Sequence, residues 1–367
     1  MPASTPAPAS EEALVLVRRE GAVTRVTLNR PRAINAFNLE MAQAVRAALA
    51  ETAHDGTRAV LLDGAGDRGF CGGGDVKALS SGGVEAGIEF LRREYQADYA
   101  VGASPVPVVG IMHGITMGGG IGLTGHAAVR VVTERSELAM PEVRIGIVPD
   151  VGGHLLLARA PGRLGELLAI TAGSLTAGDA IALGFADRFV PSERLPELVK
   201  RLIAGEAPAE AVDAVADAAP EAPLLAAREW FDPIAEAVLA DPAEVFADPA
   251  AAAQRLLQTL EAADRPEARE AAETARRMNP ASVAVTLAQI ARTRSAGLGL
   301  AEVLRDDLRV LGRMIGLPNF AEGVRAQLVD KDGAPRWNPA RVEDLDSVAI
   351  AAIVDPVFIE GEIPLEC

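Results

Sequence analysis

Glu142 and Asp150 stand eight residues apart in the run Ala139-Met140-Pro141-Glu142-Val143-Arg144-Ile145-Gly146-Ile147-Val148-Pro149-Asp150-Val151-Gly152-Gly153. Apart from Arg144, the rest of the run is apolar, proline or glycine. A carboxyl in such surroundings loses the hydration that stabilises its anion, so its proton affinity rises. A carboxyl raised in this way can take or give a proton near neutrality, as a general base or acid must. Two plainer roles compete with that reading. Glu142 could pair with Arg144 at the surface, and Asp150 could cap a helix starting near Val151.

Two glycine-rich stretches precede this run. In Phe70-Cys71-Gly72-Gly73-Gly74-Asp75, three glycines let backbone approach a ligand closely and expose N–H groups, or simply form a tight turn. The spacing is neither a dinucleotide fingerprint nor a phosphate loop ending in Lys-Ser/Thr. In Gly114-Ile115-Thr116-Met117-Gly118-Gly119-Gly120-Ile121-Gly122 a second glycine run enters a helix. A helix N-terminus offers free N–H groups and partial positive charge, suited to a polarised carbonyl or an oxyanion. One N–H from each stretch could converge on a single oxygen.

Other reactive side chains offer less. His54 ends a predicted helix, and His113 lies beside the second glycine run, where a packed structural role competes with a place at the site. No His or Cys spacing suits a metal. Cys71 adjoins the first glycine run without an evident base. Glu94, in Arg92-Arg93-Glu94-Tyr95, reads by itself as a solvated helix residue. Arg30, Arg32, Arg68 and Lys77 flank the first glycine run and are candidates for binding an anionic ligand, each equally plausible as a surface charge.

Hydrophobic periodicity supplies the elements that must hold these residues. Alternation over 13–18 and 23–28 about Glu20-Gly21 predicts a hairpin, and Asn38 caps a helix to about His54 with the stripe Met41, Ala44, Val45, Leu49. A strand over 58–62 leads into the first glycine stretch, Asp75 caps the next helix, and a longer helix covers about 84–99. A β-branched strand over 106–112 leads into the second stretch, and strands follow near 128–133 and 137–139. Strand, glycine loop, helix thus occurs twice, which predicts an α/β core of stacked β-β-α units. From about 152 the chain turns helical, with 206–223 as a linker or weak surface helix and a second helical block over 226–316. The expected organisation is a disordered tail over 1–12, a catalytic core over 13–205 and a mainly helical region over 206–367.

Lys and Arg number 35 against 51 Asp and Glu, a net charge of −16. A field of that sign argues against nucleic acid or an anionic membrane as partner. The Pro-, Ala- and Ser-rich first dozen residues lack the basic and apolar parts of a targeting peptide, and no apolar run is long enough for a membrane span. The two cysteines, Cys71 and Cys367, fit a reducing compartment, so a cytoplasmic location is expected.

Together these segments resemble the crotonase (enoyl-CoA hydratase/isomerase) superfamily. Its first loop, Phe-x-Ala-Gly-x-Asp, is met by Phe70 to Asp75 with Gly72 in place of alanine, and its second by Gly118-Gly119-Gly120. Pro141-Glu142, Gly146, Pro149 and Gly152-Gly153 match as well. The superfamily's hydratases carry one glutamate two residues after the triple glycine, where this chain has Gly122. Their second glutamate aligns with Glu142, and they have glycine where this chain has Asp150. That exchange, with the run Pro-Asp-Val-Gly-Gly, is similar to the 3-hydroxyisobutyryl-CoA hydrolase branch. So are His113 to Gly120, Arg93-Glu94-Tyr95, Met278 to Ser282, Asn319 to Ala326 and Asp330-Lys331-Asp332, over about 13–345.

The resemblance implies a crotonase fold, a spiral of β-β-α units with a C-terminal helical region. It implies hydrolysis of a β-hydroxyacyl-CoA thioester, with 3-hydroxyisobutyryl-CoA of valine breakdown as the first candidate. A hydratase or isomerase, or a non-catalytic acyl-CoA binder, are the alternatives. By the match, Gly72 and Gly119 N–H groups form the oxyanion hole, Glu142 attacks the carbonyl or activates water, and Asp150 orients the 3-hydroxyl or assists the leaving thiolate. Glu94, Gly119, Glu142 and Asp150 contact substrate. No metal or redox cofactor is implied, coenzyme A being part of the substrate, and a homo-oligomer is a candidate assembly.

Overall fold

The structure, a computed structural model, describes residues 13–367, so the tail expected over 1–12 lies outside the described residues. A six-stranded sheet runs in the order β1 (Val15–Glu20), β2 (Val23–Leu28), β3 (Ala59–Gly64), β5 (Val108–Met112), β7 (Val129–Val132), β10 (Arg188–Phe189). The β1–β2 hairpin is antiparallel and every later neighbour is parallel. The buried β5 is a continuous apolar run, as a parallel strand covered on both faces must be. A second sheet has the order β4 (Gly69–Cys71), β6 (Ile115–Met117), β8 (Glu137–Ala139), β9 (Ser174–Leu175).

The two orders interlock. Strands β3, β5 and β7 are neighbours in the first sheet, and the strands that follow each of them, β4, β6 and β8, are neighbours in the second. The chain therefore makes three stacked turns, one more than the two repeats legible in the sequence. Cys71 pairs with Thr116 and Met117 with Ala139, so the second-sheet strands end at nearly one level. The segments leaving them, Gly72–Gly74, Gly118–Gly120 and Glu142, are brought side by side by that register.

Helix α1 (Leu39–Thr52) starts as expected, with the Asn38 side chain accepting the Met41 N–H at 3.0 Å, and buries Met41, Val45 and Leu49. Asp75 caps α2 (Val76–Ser81) through Ala78 N–H at 3.3 Å. Helix α3 (Val84–Gly102) buries Phe90, Leu91, Glu94, Tyr95, Asp98 and Val101. Those positions form one face at helical spacing, and two of them are carboxylic acids. Helix α4 (Gly119–Gly125) follows β6, and α5 (Gly153–Arg159) follows the Glu142–Asp150 run.

The stretch over 206–223 is not a free linker. Helix Pro208–Asp213 buries Ala211 and Val212 in one cluster with Val109, Ile111 and Val131 of the first sheet. The helices that follow share a continuous core with the catalytic half, in which Val143, Val148 and Leu157 join Leu256, Leu287 and Leu311. Helix Pro280–Ala296 packs on α5 and helix Leu300–Met314 on α3, so both reach the back of the loops just described.

Candidate active site

A cleft of about 250 Å³ opens where the three loops meet. Gly72–Gly74, Gly118, Gly119, Glu94, Glu142 and Asp150 line it, and Leu79, Phe90, Leu91, Ile145, Ile147 and Leu328 make its apolar wall. All the residues expected to carry chemistry are thus brought together, and both plainer readings of the acids fail. Asp150 caps nothing, because α5 begins at Gly153 with Gly152 as N-cap and no side-chain cap bond. Arg144 donates to the Ala172 carbonyl at 3.1 Å, and Glu142 is only 6% exposed.

Glu142 opens a short 3-10 turn directly after β8. Its Oε1 lies against Gly118, where an added Cβ would stand 2.7 Å away, and its Oε2 has no hydrogen-bond partner. Gly118 has φ +45°, so the turn into α4 needs glycine for conformation as well as for space. Burial pushes the Glu142 carboxyl well above its ordinary range, and the nearby Asp150 carboxyl adds to the push.

Asp150 is 6% exposed and accepts the Tyr95 hydroxyl at 2.6 Å. Burial, reinforced by the carboxylate of Asp307, raises it, while the Tyr95 hydroxyl pulls it back; the outcome is a carboxyl pushed up to about 7. Glu94 is 2% exposed with Oε1 unpartnered, raised well above normal by burial and by Asp150. It is no solvated helix residue: its Oε1 presses on Gly119, where an added Cβ would collide with it. The acids interact strongly, so their protons belong to the group rather than to single residues.

Of the two N–H groups expected to form an oxyanion hole, that of Gly72 is engaged within the chain. Gly72 N–H donates to the Ile34 carbonyl at 2.7 Å, so it is not free for a substrate oxygen. Gly72 directly continues β4, and its amide is spent holding the loop to the Ile34 turn. The chain bends at Gly73 (φ +102°), and Gly74 N–H comes free, with no acceptor among the described residues. A Cβ placed on Gly119 would lie 3.3 Å from Gly74 N, and Gly119 N–H, the first of α4, is also unspent. Gly74 and Gly119 therefore bring two unspent N–H groups to adjoining stretches of the cleft lining.

A family model described as enoyl-CoA hydratase/isomerase matches residues 23–354. The chain belongs to this family. It is 36% identical over 339 residues to a protein of Gallus gallus called 3-hydroxyisobutyryl-CoA hydrolase, mitochondrial, covering 90% of this chain and 86% of the relative. It is 35% identical over 348 residues to the Homo sapiens protein of the same name, covering 92% and 86%. Among solved structures it resembles a carnitinyl-CoA dehydratase from Mycobacterium thermoresistibile, with TM-score 0.84, 38% identity and 95% and 99% of the two chains covered. An enoyl-CoA hydratase from Rhodobacter sphaeroides gives TM-score 0.83, 37% identity and 96% and 100% coverage. The α/β fold with its C-terminal helices is that of this crotonase family.

Those names divide between hydrolysis and hydration, and Gly122 is the position at which the sequence resemblance leads one to expect a glutamate in a hydratase. A Cβ there would stand 2.6 Å from the Val151 Cβ and 2.8 Å from Asp98 Oδ2. A side chain at 122 would have to displace both of them. Asp98 fills the space instead, fully buried, with neither carboxyl oxygen hydrogen-bonded. Burial, then the Glu94 carboxyl, holds it well above its normal range.

Sequence reasoning missed Asp98, Asp307 and the bond of Tyr95. For Asp98 a signal existed: it sits four residues after Glu94 on the apolar face of α3, where a solvated acid would not be placed. Of the remaining candidates, His113 bonds Thr133 away from the cleft, and burial pushes the Cys71 thiol up to about 12, unsuited to a nucleophile. Arg30 is paired with Asp75 at 2.8 Å, and Arg68 holds the Pro31 and Arg32 carbonyls, leaving Arg32 and Lys77 exposed beside the loop.

Proposed function

We propose that this protein hydrolyses a β-hydroxyacyl-CoA thioester, 3-hydroxyisobutyryl-CoA first among candidates, to the free hydroxy acid and coenzyme A. The observation that carries the reading is the pairing of Glu142 with Asp150 in one cleft beside the free N–H groups of Gly74 and Gly119, with no space for a carboxylate at 122.

Ionising the first acid makes the second harder to ionise, so the pair holds on to a proton more strongly than a lone carboxyl would. The reactive arrangement has the charge on Glu142 and the proton on Asp150. Glu142 either attacks the thioester carbon or takes a proton from an attacking water. The carbonyl oxygen becomes an oxyanion held by Gly74 and Gly119 N–H, each donor worth roughly 10²–10³ in rate. The C–S bond breaks, and the thiolate takes the Asp150 proton. In the covalent route, water then cleaves the Glu142 anhydride, one of its protons leaving with the product acid and the other returning to Asp150, so that the Glu142 carboxylate is restored. Glu94 lies across the cleft, where its carboxyl meets the substrate hydroxyl.

The reaction uses no group beyond this chain, water and the substrate. Arg32 and Lys77 are the basic side chains left to meet the coenzyme's phosphates. The two cysteines are unpaired, Cys71 buried and Cys367 exposed, which supports a reducing compartment such as the cytoplasm. No helix among the described residues is long and apolar enough to cross a membrane.

Thiol release from 3-hydroxyisobutyryl-CoA, read with a disulfide reagent beside crotonyl-CoA, tests the proposal. Fast release from the hydroxyacyl ester is expected. Loss of crotonyl absorbance without thiol release would make the protein a hydratase instead.

A further inference from the structure

Behind the cleft lies a buried histidine–aspartate pair that the reaction itself does not use. His154 on α5 and Asp307 on helix Leu300–Met314 are both fully buried, with ring Nε2 2.9 Å from Oδ1, a contact that is an ion pair when the ring is protonated. The other ring nitrogen, Nδ1, is 2.8 Å from the Thr293 hydroxyl on helix Pro280–Ala296. The other Asp307 oxygen, Oδ2, accepts Gly152 N–H at 2.9 Å.

Gly152 lies two residues after Asp150, and the turn between them is unusual. Val151 has φ +53° and Gly152 φ +75°. Glycine adopts this left-handed conformation freely, whereas a β-branched residue is strained there and persists only where its surroundings over-determine it. The surroundings here are three contacts. Asp307 takes the Gly152 N–H, His126 Nε2 stands 3.1 Å from the Val151 carbonyl, and Gly153 N–H closes onto the Asp150 carbonyl at 2.6 Å.

We propose that Asp307, braced by His154, is a positioning residue for Asp150: it clamps the strained Val151-Gly152 turn that carries the Asp150 carboxyl into the cleft. The proposal rests on the assignment of Asp150 to the chemistry. It also gives the C-terminal helices a part in the site, since Asp307 and Thr293 both come from them.

Asp307 is more than an acceptor for an amide. An asparagine would satisfy Gly152 N–H equally well, so the carboxylate brings a charge that the clamp alone does not require. That charge raises the proton affinity of both Asp150 and Glu142. The other groups facing this region are Glu94, Tyr95 and Asp98 from α3, Glu142, and His126. Asp306 and Arg309 come from the helix of Asp307, and Arg292 from the helix of Thr293. Asp306 is tied to Arg292 and Arg309. His154 lowers Asp150 less than Asp307 raises it, so removing the Asp307 charge lowers Asp150 overall.

The test compares Asp307→Asn, which keeps an acceptor and loses the charge, with Asp307→Ala, which loses both. The alkaline limb of kcat/KM against pH, set by loss of the Asp150 proton, moves down by about one unit in Asp307→Asn. In Asp307→Ala, kcat also falls by about tenfold or more with KM little changed, as loss of orientation predicts. An unmoved limb in Asp307→Asn, or equal kcat in the two variants, overturns the proposal. The ring ¹⁵N shifts of the four histidines in the unaltered protein serve if a variant does not fold. His154 is expected doubly protonated near neutrality, and a neutral ring overturns the brace. An Asp150→Asn variant with full activity would defeat the assignment of Asp150 instead. Lost activity in Asp150→Asn beside native behaviour in both Asp307 variants would defeat this inference alone.

Discussion

The Tyr95 hydroxyl donates to Asp150 Oδ2 across 2.6 Å, with both residues buried. This bond stabilises the Asp150 anion and opposes the burial and the Asp307 charge that push the carboxyl up to about 7. Tyr95 itself is held well above its ordinary range by burial and by Asp150, so it remains a donor throughout the working range. In Tyr95→Phe the anion loses its donor, so Asp150 keeps its proton longer and the alkaline limb of the pH profile moves to higher pH by about one unit. A pH–rate profile checks this, and the direction is opposite to that expected for Asp307→Asn.

Glu142→Gln preserves shape but removes the group that attacks or takes the proton. Thiol release falls by about 10³-fold or more, with coenzyme A still able to bind. Steady-state thiol release and thermal stabilisation by coenzyme A read the two parts separately. Full hydrolysis by this variant would remove Glu142 from the chemistry.

Gly118 is the wall against which Glu142 rests. Gly118→Ala would put a Cβ 2.7 Å from Oε1 in a backbone conformation of φ +45°. Both penalties act on the carboxyl that reacts, so kcat falls by about 10²-fold or more, as expected for a displacement of roughly 1 Å. Gly72→Ala is expected to be far milder, because its N–H holds Ile34 and a Cβ there stays 3.4 Å or more from other atoms. Kinetics of the two variants side by side check this contrast.

The buried acids also set how stability depends on pH. Asp98, Glu94 and Glu142 are held above their ordinary values in the folded chain, so between those two values the folded state binds more protons than the unfolded one. Stability is therefore fully present below the unfolded carboxyl range and declines as pH rises toward the folded values. Tm is expected to fall as the solution is made alkaline. Asp98→Asn, which removes the one of these three acids that does not line the cleft, stabilises the protein at mildly alkaline pH by at least about 1 kcal/mol. Denaturant melts at two pH values measure this; a gain that is equal at both would show that Asp98 is not held protonated.

What the sequence alone determined is the part written in short runs of residues. The glycine stretches, the Glu142–Asp150 run, the caps at Asn38 and Asp75 and the family membership were legible, because turns, caps and periodicity depend on neighbours within about ten residues. The site beyond those runs came from pairs far apart in the chain: Tyr95 with Asp150, Gly152 with Asp307, His154 with Thr293. Glu94 reads as solvated until α3 turns its apolar face inward. Gly72 reads as having a free N–H until that N–H is seen to meet the Ile34 carbonyl. Whether an N–H is spent, and whether an acid is charged, depends on what the fold packs against it. That is decided by sheet register and helix packing, and no local pattern carries it.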